Sequence, residues 1–304
     1  MLAHYRPPAN LFGLICVLTL SIVTAAPARE WRIMNGANAY ASAGNGSADS
    51  NGFLLTATTR AMSNYYYRGA TLSAHQPSVS ATIDAQFHSL YFAADIYSVK
   101  LPTNPWSELI FSAGWRPKLG AFDFDIGAIY FLYPGEAVNG QPADTDYWEA
   151  SAKVSHKLTP ATTLGAEIAH APNYANTGAW ASYALARVNV DLPATALPSG
   201  VTWSISADLG RQWAGRVSTA LGSYTLPSYS HWRAGLAFAH QPLTLDLSYH
   251  QSSLSKEDCF VLTGDPGAVP GGSISLAANP RGLRSNWCGA AFIATLSYEF
   301  KYRR

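Results

Sequence analysis

From Gly52 to its end, the chain consists of short segments in which apolar and polar residues alternate. The alternation is clearest at residues 122–133, where large apolar side chains occupy even positions and two aspartates occupy odd positions. Successive side chains of a strand point to opposite faces, so each segment predicts a strand with one apolar and one polar face. This repeated pattern constrains the chain to an all-β fold.

About twelve such segments follow one another, each near the length that a tilted strand needs to cross a bilayer. They are roughly 53–68, 78–88, 90–99, 107–116, 121–133, 146–157, 163–171, 179–191, 201–213, 231–240, 243–252 and 290–302. The connections are short after even-numbered segments, as at residues 88–89, and long after odd-numbered ones, as at residues 253–289. Membrane barrels sort their connections in this way. We therefore predict a transmembrane antiparallel up-and-down β-barrel over residues 52–304, with about 12 strands, or 14 if a long loop hides a further hairpin.

The composition agrees with a barrel whose outside faces lipid. Charged residues make up 13% of the chain, about half their share in soluble domains. The net charge of +1 and the absence of a basic block argue against a nucleic-acid partner.

The N-terminal region predicts export. The apolar run at residues 11–23 is too short for a comfortable membrane helix, and Ala26-Pro27-Ala28 after it is typical of a cleavage site. Residues 1–28 are therefore predicted to be a signal peptide, and the Ala-, Ser-, Asn- and Gly-rich residues 29–51 a flexible periplasmic arm. An earlier cleavage site at Val23-Thr24-Ala25 and an uncleaved anchor helix are the alternatives. An even strand number places both chain ends in the periplasm, so we expect a bacterial outer-membrane protein.

Two cysteines remain after cleavage, Cys259 and Cys288, near the two ends of the longest loop. An oxidising location favours a disulfide between them, which would tether the loop beside or over the barrel mouth. No histidines accompany them, so the sequence predicts no metal site, and no motif indicates a cofactor.

The polar faces predict a lumen that carries both signs of charge. The ionisable lumen candidates are Arg68, Asp84, Asp95, Glu108, Arg116, Asp123, Asp125, Glu149, Lys153, Glu167, Arg187, Asp208, Arg233, Asp246, Glu299 and Lys301. Such a lining suits passive diffusion of small polar solutes with weak selectivity. The alternative is a closed barrel, filled by its own ion pairs, that acts as a structural or receptor protein through the loop at residues 253–289.

A lipid hydrolase is the third reading, because some outer-membrane barrels carry Ser and His on the outer wall. The strand-associated histidines are His156, His170, His231, His240 and His250. None has a neighbouring Ser and acid in a recognisable motif, so no enzyme is predicted. The expected partners are outer-membrane lipid, a small polar solute and the barrel-assembly machinery, with the oligomeric state left open.

Aromatic residues near the ends of the segments predict girdles at the two membrane interfaces. On the long-loop side these are Tyr65, Tyr66, Tyr67, Tyr130, Tyr133, Tyr147 and Trp148, and at the other end Tyr298, Phe300 and Tyr302.

Three runs resemble a family of outer-membrane porin-like proteins often called TorF-type. They are Ser-Asn-Tyr-Tyr-Tyr-Arg-Gly at residues 63–69, Tyr-Pro-Gly at 133–135 and Tyr-Trp-Glu at 147–149. The resemblance covers residues 52–160 well and implies an outer-membrane barrel, a passive channel whose substrate is unassigned. The chain departs from many barrels by placing Arg303 and Arg304 after its last aromatic residue.

Within the first run, Arg68 has two possible roles. It is either a pore residue near the mouth or a brace for Tyr66 or a carboxylate such as Glu149. Gly69 is expected to permit a turn or bulge.

Overall fold

The computed structural model describes residues 52–193 and 198–304. The predicted signal peptide and periplasmic arm lie outside these residues. Within them, twelve long antiparallel strands form one sheet. They are β1 (Phe53–Met62), β2 (Ser78–Phe87), β3 (Leu90–Tyr97), β4 (Glu108–Trp115), β5 (Phe122–Leu132), β6 (Tyr147–Lys157), β7 (Thr162–Ala171), β8 (Ala181–Leu192), β9 (Thr202–Ala214), β10 (Tyr229–His240), β11 (Leu243–Ser252) and β12 (Ala291–Arg303).

The sheet closes on itself. Each strand pairs with the next along the chain, and β1 also pairs with β12, where Leu54 lies opposite Arg303 and Met62 opposite Thr295. The predicted twelve-stranded barrel is confirmed, and the alternative of fourteen strands is wrong. The long connections instead contain pieces too short to join the wall as full strands.

Alternation gives the barrel an apolar outside and a polar inside. On β2, Val79 and Ile83 are each 57% exposed, whereas Thr82 and Asp84 between and beside them are buried. The same contrast runs around the sheet, because the pairing registers place like faces side by side. An apolar outer band over a polar interior is typical of barrels that lie in a membrane.

The short and long connections lie at opposite ends of the barrel, as their parity requires. The shorter strands are Tyr66–Tyr67, Ala70–Thr71, Lys118–Leu119, Ala137–Val138, Gln141–Pro142, Arg216–Thr219, Gly222–Thr225, Val269–Pro270 and Leu283–Arg284. Among the described residues, a 3-10 helix spans Tyr174–Asn176 and an α-helix, α1, spans Lys256–Thr263. In the described part of the chain, no helix has the length and apolarity to cross a membrane.

The first strand is shorter than its sequence pattern predicted. We expected it to reach residue 68, but β1 ends at Met62. Beyond it, the Tyr65 N–H donates to Ser73 Oγ at 2.9 Å, and Arg68 and Gly69 reverse the chain with φ angles of 43° and 87°. Residues 63–77, which we call the plug loop, therefore leave the wall and turn inward.

The aromatic girdles differ from the prediction on the long-loop side. Tyr130 and Trp148 do face outward there, with Trp180, Trp213 and Trp232, and at the other end Tyr298, Phe300 and Tyr302 are also exposed. The prediction was wrong for Tyr65, Tyr66, Tyr67, Tyr133 and Tyr147, which lie inside the barrel. Aromatic residues at strand ends occur on both faces of the sheet, and only the strand register decides which of them face the lipid.

Candidate functional site: the barrel interior

The plug loop crosses the interior of the barrel near its long-loop end. Its Arg68 reaches Glu149 on β6, where two guanidinium nitrogens donate to the two carboxylate oxygens at 2.7 Å each. Both side chains are almost fully buried. Because β6 lies on the far side of the ring from β1, this ion pair fastens the loop to the opposite wall.

Two aromatic rings lie close to the Arg68 guanidinium. Its central carbon lies 4.9 Å from the ring centre of Tyr67 and 4.1 Å from that of Tyr183 on β8. The Tyr229 hydroxyl donates to the Arg68 carbonyl at 2.7 Å. Cation–π contacts and a bidentate carboxylate use the planar guanidinium fully, so a lysine would not replace it. The structure thus shows Arg68 as a brace to Glu149.

Gly69 permits the close approach of the loop to the wall. Its φ of 87° belongs to the left-handed region, and a Cβ placed on it would come within 3.0 Å of the Cβ atoms of His231 and Ser252. A side chain at this position would therefore strain the backbone and press against β10 and β11.

Tyrosines from the loop and the wall share one buried carboxylate. Tyr65 and Tyr133 donate to the two oxygens of Glu108 at 2.7 and 2.8 Å. The Tyr65 ring also stacks on Tyr97, with 4.5 Å between centroids. Together with apolar residues of β4 and β5, these rings fill the β3–β6 side of the long-loop half of the interior.

The longest loop, residues 253–290, covers the plug loop and is closed by the predicted Cys259–Cys288 disulfide. The disulfide packs with Trp287 against Ala70 of the plug loop. The Thr71 N–H donates to the Trp287 carbonyl at 2.9 Å, and the Tyr66 hydroxyl donates to the Gly289 carbonyl at 2.5 Å. This disulfide loop is therefore part of the support that keeps the plug loop inside.

Below the plug loop, the wall carries ion pairs between strands. Arg116, at the end of β4, binds Asp84 at 2.7 Å and Asp125 at 3.2 Å. On the other side of the ring Arg187 binds Asp208 at 2.6 Å. Arg233 binds Asp246 at 2.6 Å with two short contacts from one nitrogen. Charges of the wall are thus neutralised mainly by their neighbours in the wall.

The remaining predicted lumen residues also fall on the interior face. They are Asp95, which accepts from Thr82, and Asp123, Lys153, Glu167, Glu299 and Lys301. Lys301 and Glu299 form an ion pair, and Lys153 lies opposite Asp125 and Glu167 in the registers. Lys153 on β6, Arg187 on β8, and Glu299 and Lys301 on β12 are only partly buried, so the interior is less filled around these side chains, in the short-turn half, than in the long-loop half.

The histidines lie on both faces of the wall. His231 and His250 point inward and contact Tyr183 and Ser248. His170 points outward, and its Nδ1 lies 2.9 Å from Ser182 Oγ on the next strand. The sequence did not reveal this pair, because only the strand register brings it together. No carboxylate of the described residues binds His170, so the acid that orients a catalytic histidine is missing from this contact.

An acidic cluster in the β5–β6 loop was also not found from the sequence. Carboxylate oxygens of Glu136, Asp144 and Asp146 lie within 4.8 Å of one another. The pKa of Asp146 is raised above its ordinary value, first by burial and then by the neighbouring carboxylates of Asp144 and Glu136. A hydrogen bond from the Tyr133 N–H opposes this rise. The Glu136 carboxylate accepts hydrogen bonds from the Thr103 hydroxyl and from the hydroxyl and backbone N–H of Thr145, at 2.5 to 2.7 Å. These bonds fasten the β5–β6 loop.

Several solved structures are similar to this chain at low sequence identity. A NanC porin structure is 9% identical, with a TM-score of 0.43 over 80% of this chain and 98% of that chain. A KdgM porin is 6% identical, with a TM-score of 0.46 over 81% and 99%. LpxR from Salmonella typhimurium is 9% identical, with a TM-score of 0.38 over 81% and 99%.

No curated protein matches the sequence. One family model does, described as "Bacterial protein of unknown function (Gcw_chp)", over residues 46–265. The match does not decide the TorF-type name that the motifs suggested. Because it spans well over half of the chain, this protein belongs to the Gcw_chp family of bacterial proteins.

Proposed function

We propose that this chain is an outer-membrane channel of the porin type, through which small polar solutes diffuse. The observation that carries the proposal is the contrast between the two faces of a closed barrel. The outside presents exposed apolar side chains, and the inside presents paired charges and hydroxyls. An interior lined in this way suits a lumen that water and polar solutes enter.

The path runs along the partly buried half of the interior. Lys153, Arg187, Glu299 and Lys301 border it on the short-turn side, which the parity of the connections assigns to the periplasm. Since both basic and acidic groups are present there, we expect weak charge selectivity. Other ionisable side chains of the interior face line the same lumen below the plug loop. The plug loop narrows the lumen toward the long-loop end, where Glu108 and Glu149 are buried against it.

Planar-bilayer conductance of the full mature chain tests the proposal. A second protein, with residues 64–72 replaced by a short Gly-Ser linker, removes the narrowing while leaving all twelve strands. We expect small, infrequent current steps from the native chain and larger, longer ones from the linker protein. Heat-dependent gel mobility checks that each barrel is folded. If neither folded protein gives any current steps, the channel proposal is wrong.

The second candidate is a closed barrel that acts as a receptor or structural protein through the disulfide loop. It is favoured by the deep burial of Tyr65, Tyr66 and Arg68 of the plug loop inside the barrel. Replacing residues 255–288 by a short linker separates the two functions, because it removes both cysteines and the external surface together. Loss of binding to cell surfaces with unchanged solute uptake would favour the receptor. Increased solute uptake would favour the channel.

A further inference from the structure

One charged side chain departs from the two-faced pattern of the barrel. Within the twelve described strands, Arg211 on β9 is the single Lys, Arg, Asp or Glu at an outward-facing position. Its neighbours along the strand, Leu209 and Trp213, are 61% and 40% exposed on the lipid side. A cation on the lipid face of a barrel is costly near the bilayer centre, so its presence indicates a function or an interface position.

The surroundings of Arg211 place it at the interface on the long-loop side. It lies opposite Ser230 on β10, and its guanidinium donates to Ser230 Oγ at 3.0 Å. It also lies 5.7 Å from the ring centre of Trp213, a member of the outer aromatic girdle. Its contacts in the described structure include no carboxylate. The positive charge is therefore held at headgroup level without an anion to neutralise it.

An apolar groove of about 450 Å³ lies on the same sector of the outer wall. Its apolar lining comes from outward-facing residues of β8 to β12, including Ile205, Ala207, Ala234 and Phe292. Small side chains at Ala207 and Ala234, which face each other across β9 and β10, leave the depression between larger neighbours. Ala207 is four residues below Arg211, which is about 13 Å along the strand toward the membrane interior.

A cation at headgroup level above an apolar groove fits a lipid whose headgroup carries a phosphate. We propose that Arg211, with Ser230, binds the phosphate of an outer-leaflet lipid, and that the groove at Ala207 and Ala234 holds part of its acyl chains. The inference rests on the proposed outer-membrane orientation, which turns this end of the barrel to the outer leaflet. Charge complementarity selects a phosphorylated lipid over a neutral one, because an anion at this position compensates the guanidinium.

Binding of lipid A and of dephosphorylated lipid A to the detergent-solubilised full mature chain, measured by native mass spectrometry, tests the site. We expect the native protein to bind the phosphorylated lipid about fivefold more tightly, the effect of one cation near an anionic lipid surface. Arg211→Ala removes this preference and Arg211→Lys retains most of it. Arg216→Ala is the matched control, because Arg216 is exposed in a hairpin beyond the wall, and it keeps the preference.

The groove has its own variant. Ala207→Trp fills the groove and is expected to weaken the binding of lipid A and of dephosphorylated lipid A to the same extent. The proposal is wrong if Arg211→Ala keeps the fivefold preference for lipid A, or if Arg216→Ala loses as much of that preference as Arg211→Ala does. It is also wrong if inorganic phosphate displaces lipid A as readily from Arg211→Ala as from the native protein. Conductance is measured on the same preparations. Because Arg211 points away from the lumen, its alanine variant should conduct like the native chain, so failure of the channel and failure of the lipid site give different results.

Discussion

Replacing Glu149 with glutamine keeps the shape of the side chain and removes the charge that holds the plug loop. Both partners of the Arg68–Glu149 pair are at most 4% exposed, so the variant leaves a guanidinium buried without its counter-ion. Breaking such a pair costs about 3 to 5 kcal/mol. The glutamine oxygen still accepts one bond, so we expect the lower end, about 3 kcal/mol.

Release of the loop is the easiest response to this cost. Undocking returns Arg68 to water and leaves the twelve strands paired, whereas unfolding would break the whole barrel. A shift of about 3 kcal/mol raises the ratio of undocked to docked loop roughly 100-fold. We therefore expect Glu149→Gln to increase the frequency of current steps by up to that factor in planar bilayers, with normal heat-dependent gel mobility.

Asp208→Asn is the matched control for this experiment. It removes the charge that Asp208 shares with Arg187 and, at 4.0 Å, with Arg233, and all three residues belong to the wall strands β8, β9 and β10. Its opening frequency should stay close to that of the native chain. If Glu149→Gln shows the native opening frequency while folded, or if Asp208→Asn opens equally often, the Arg68–Glu149 pair does not hold the loop.

Two further predictions concern the supports of the plug loop. Gly69→Ala places a Cβ within 3.0 Å of two wall atoms at a φ of 87°. It should therefore destabilise the docked loop relative to the undocked loop by about 1 to 3 kcal/mol and increase the frequency of channel opening. Gly178→Ala, with a φ of 81° but open space around it, should leave opening unchanged, and equal effects would contradict the steric argument. A Cys259→Ser and Cys288→Ser double variant removes a cross-link worth about 3 to 4 kcal/mol to the loop. It should speed limited proteolysis of the disulfide loop and increase opening without loss of the barrel, and unchanged cleavage would count against this support.

The wall of the barrel was predictable from the sequence because its physics is local. Period-two alternation assigns each residue to a face, and the parity of the connections assigns each loop to an end. The interior position of residues such as Asp84 and Asp246 follows from these two rules. The Cys259–Cys288 bond was predictable for a similar reason, since two cysteines near the ends of one loop have few other partners.

The plug loop was not predictable, because residues 63–67 continue the composition of a strand end. Three tyrosines in a row fit an interfacial girdle as well as a packed interior, and the choice depends on Arg68, whose carboxylate partner is 81 residues away. Arg-Gly after the tyrosines was the available signal, since it allows a reversal in which the arginine turns back into the barrel.

This difference between wall and loop bears on how the lumen could open. The wall charges of Arg116, Arg187 and Arg233 are bonded to carboxylates on strands that the barrel itself fixes in place. Displacing one of these side chains would break its ion pair, and displacing the strand that carries it would also break the hydrogen bonds between strands. The plug loop, in contrast, meets the far wall mainly through Arg68 and a few tyrosine contacts, and it can leave without disturbing any strand. If the barrel conducts, its open state should therefore be controlled by the loop, and substitutions of wall charges should alter selectivity more than opening.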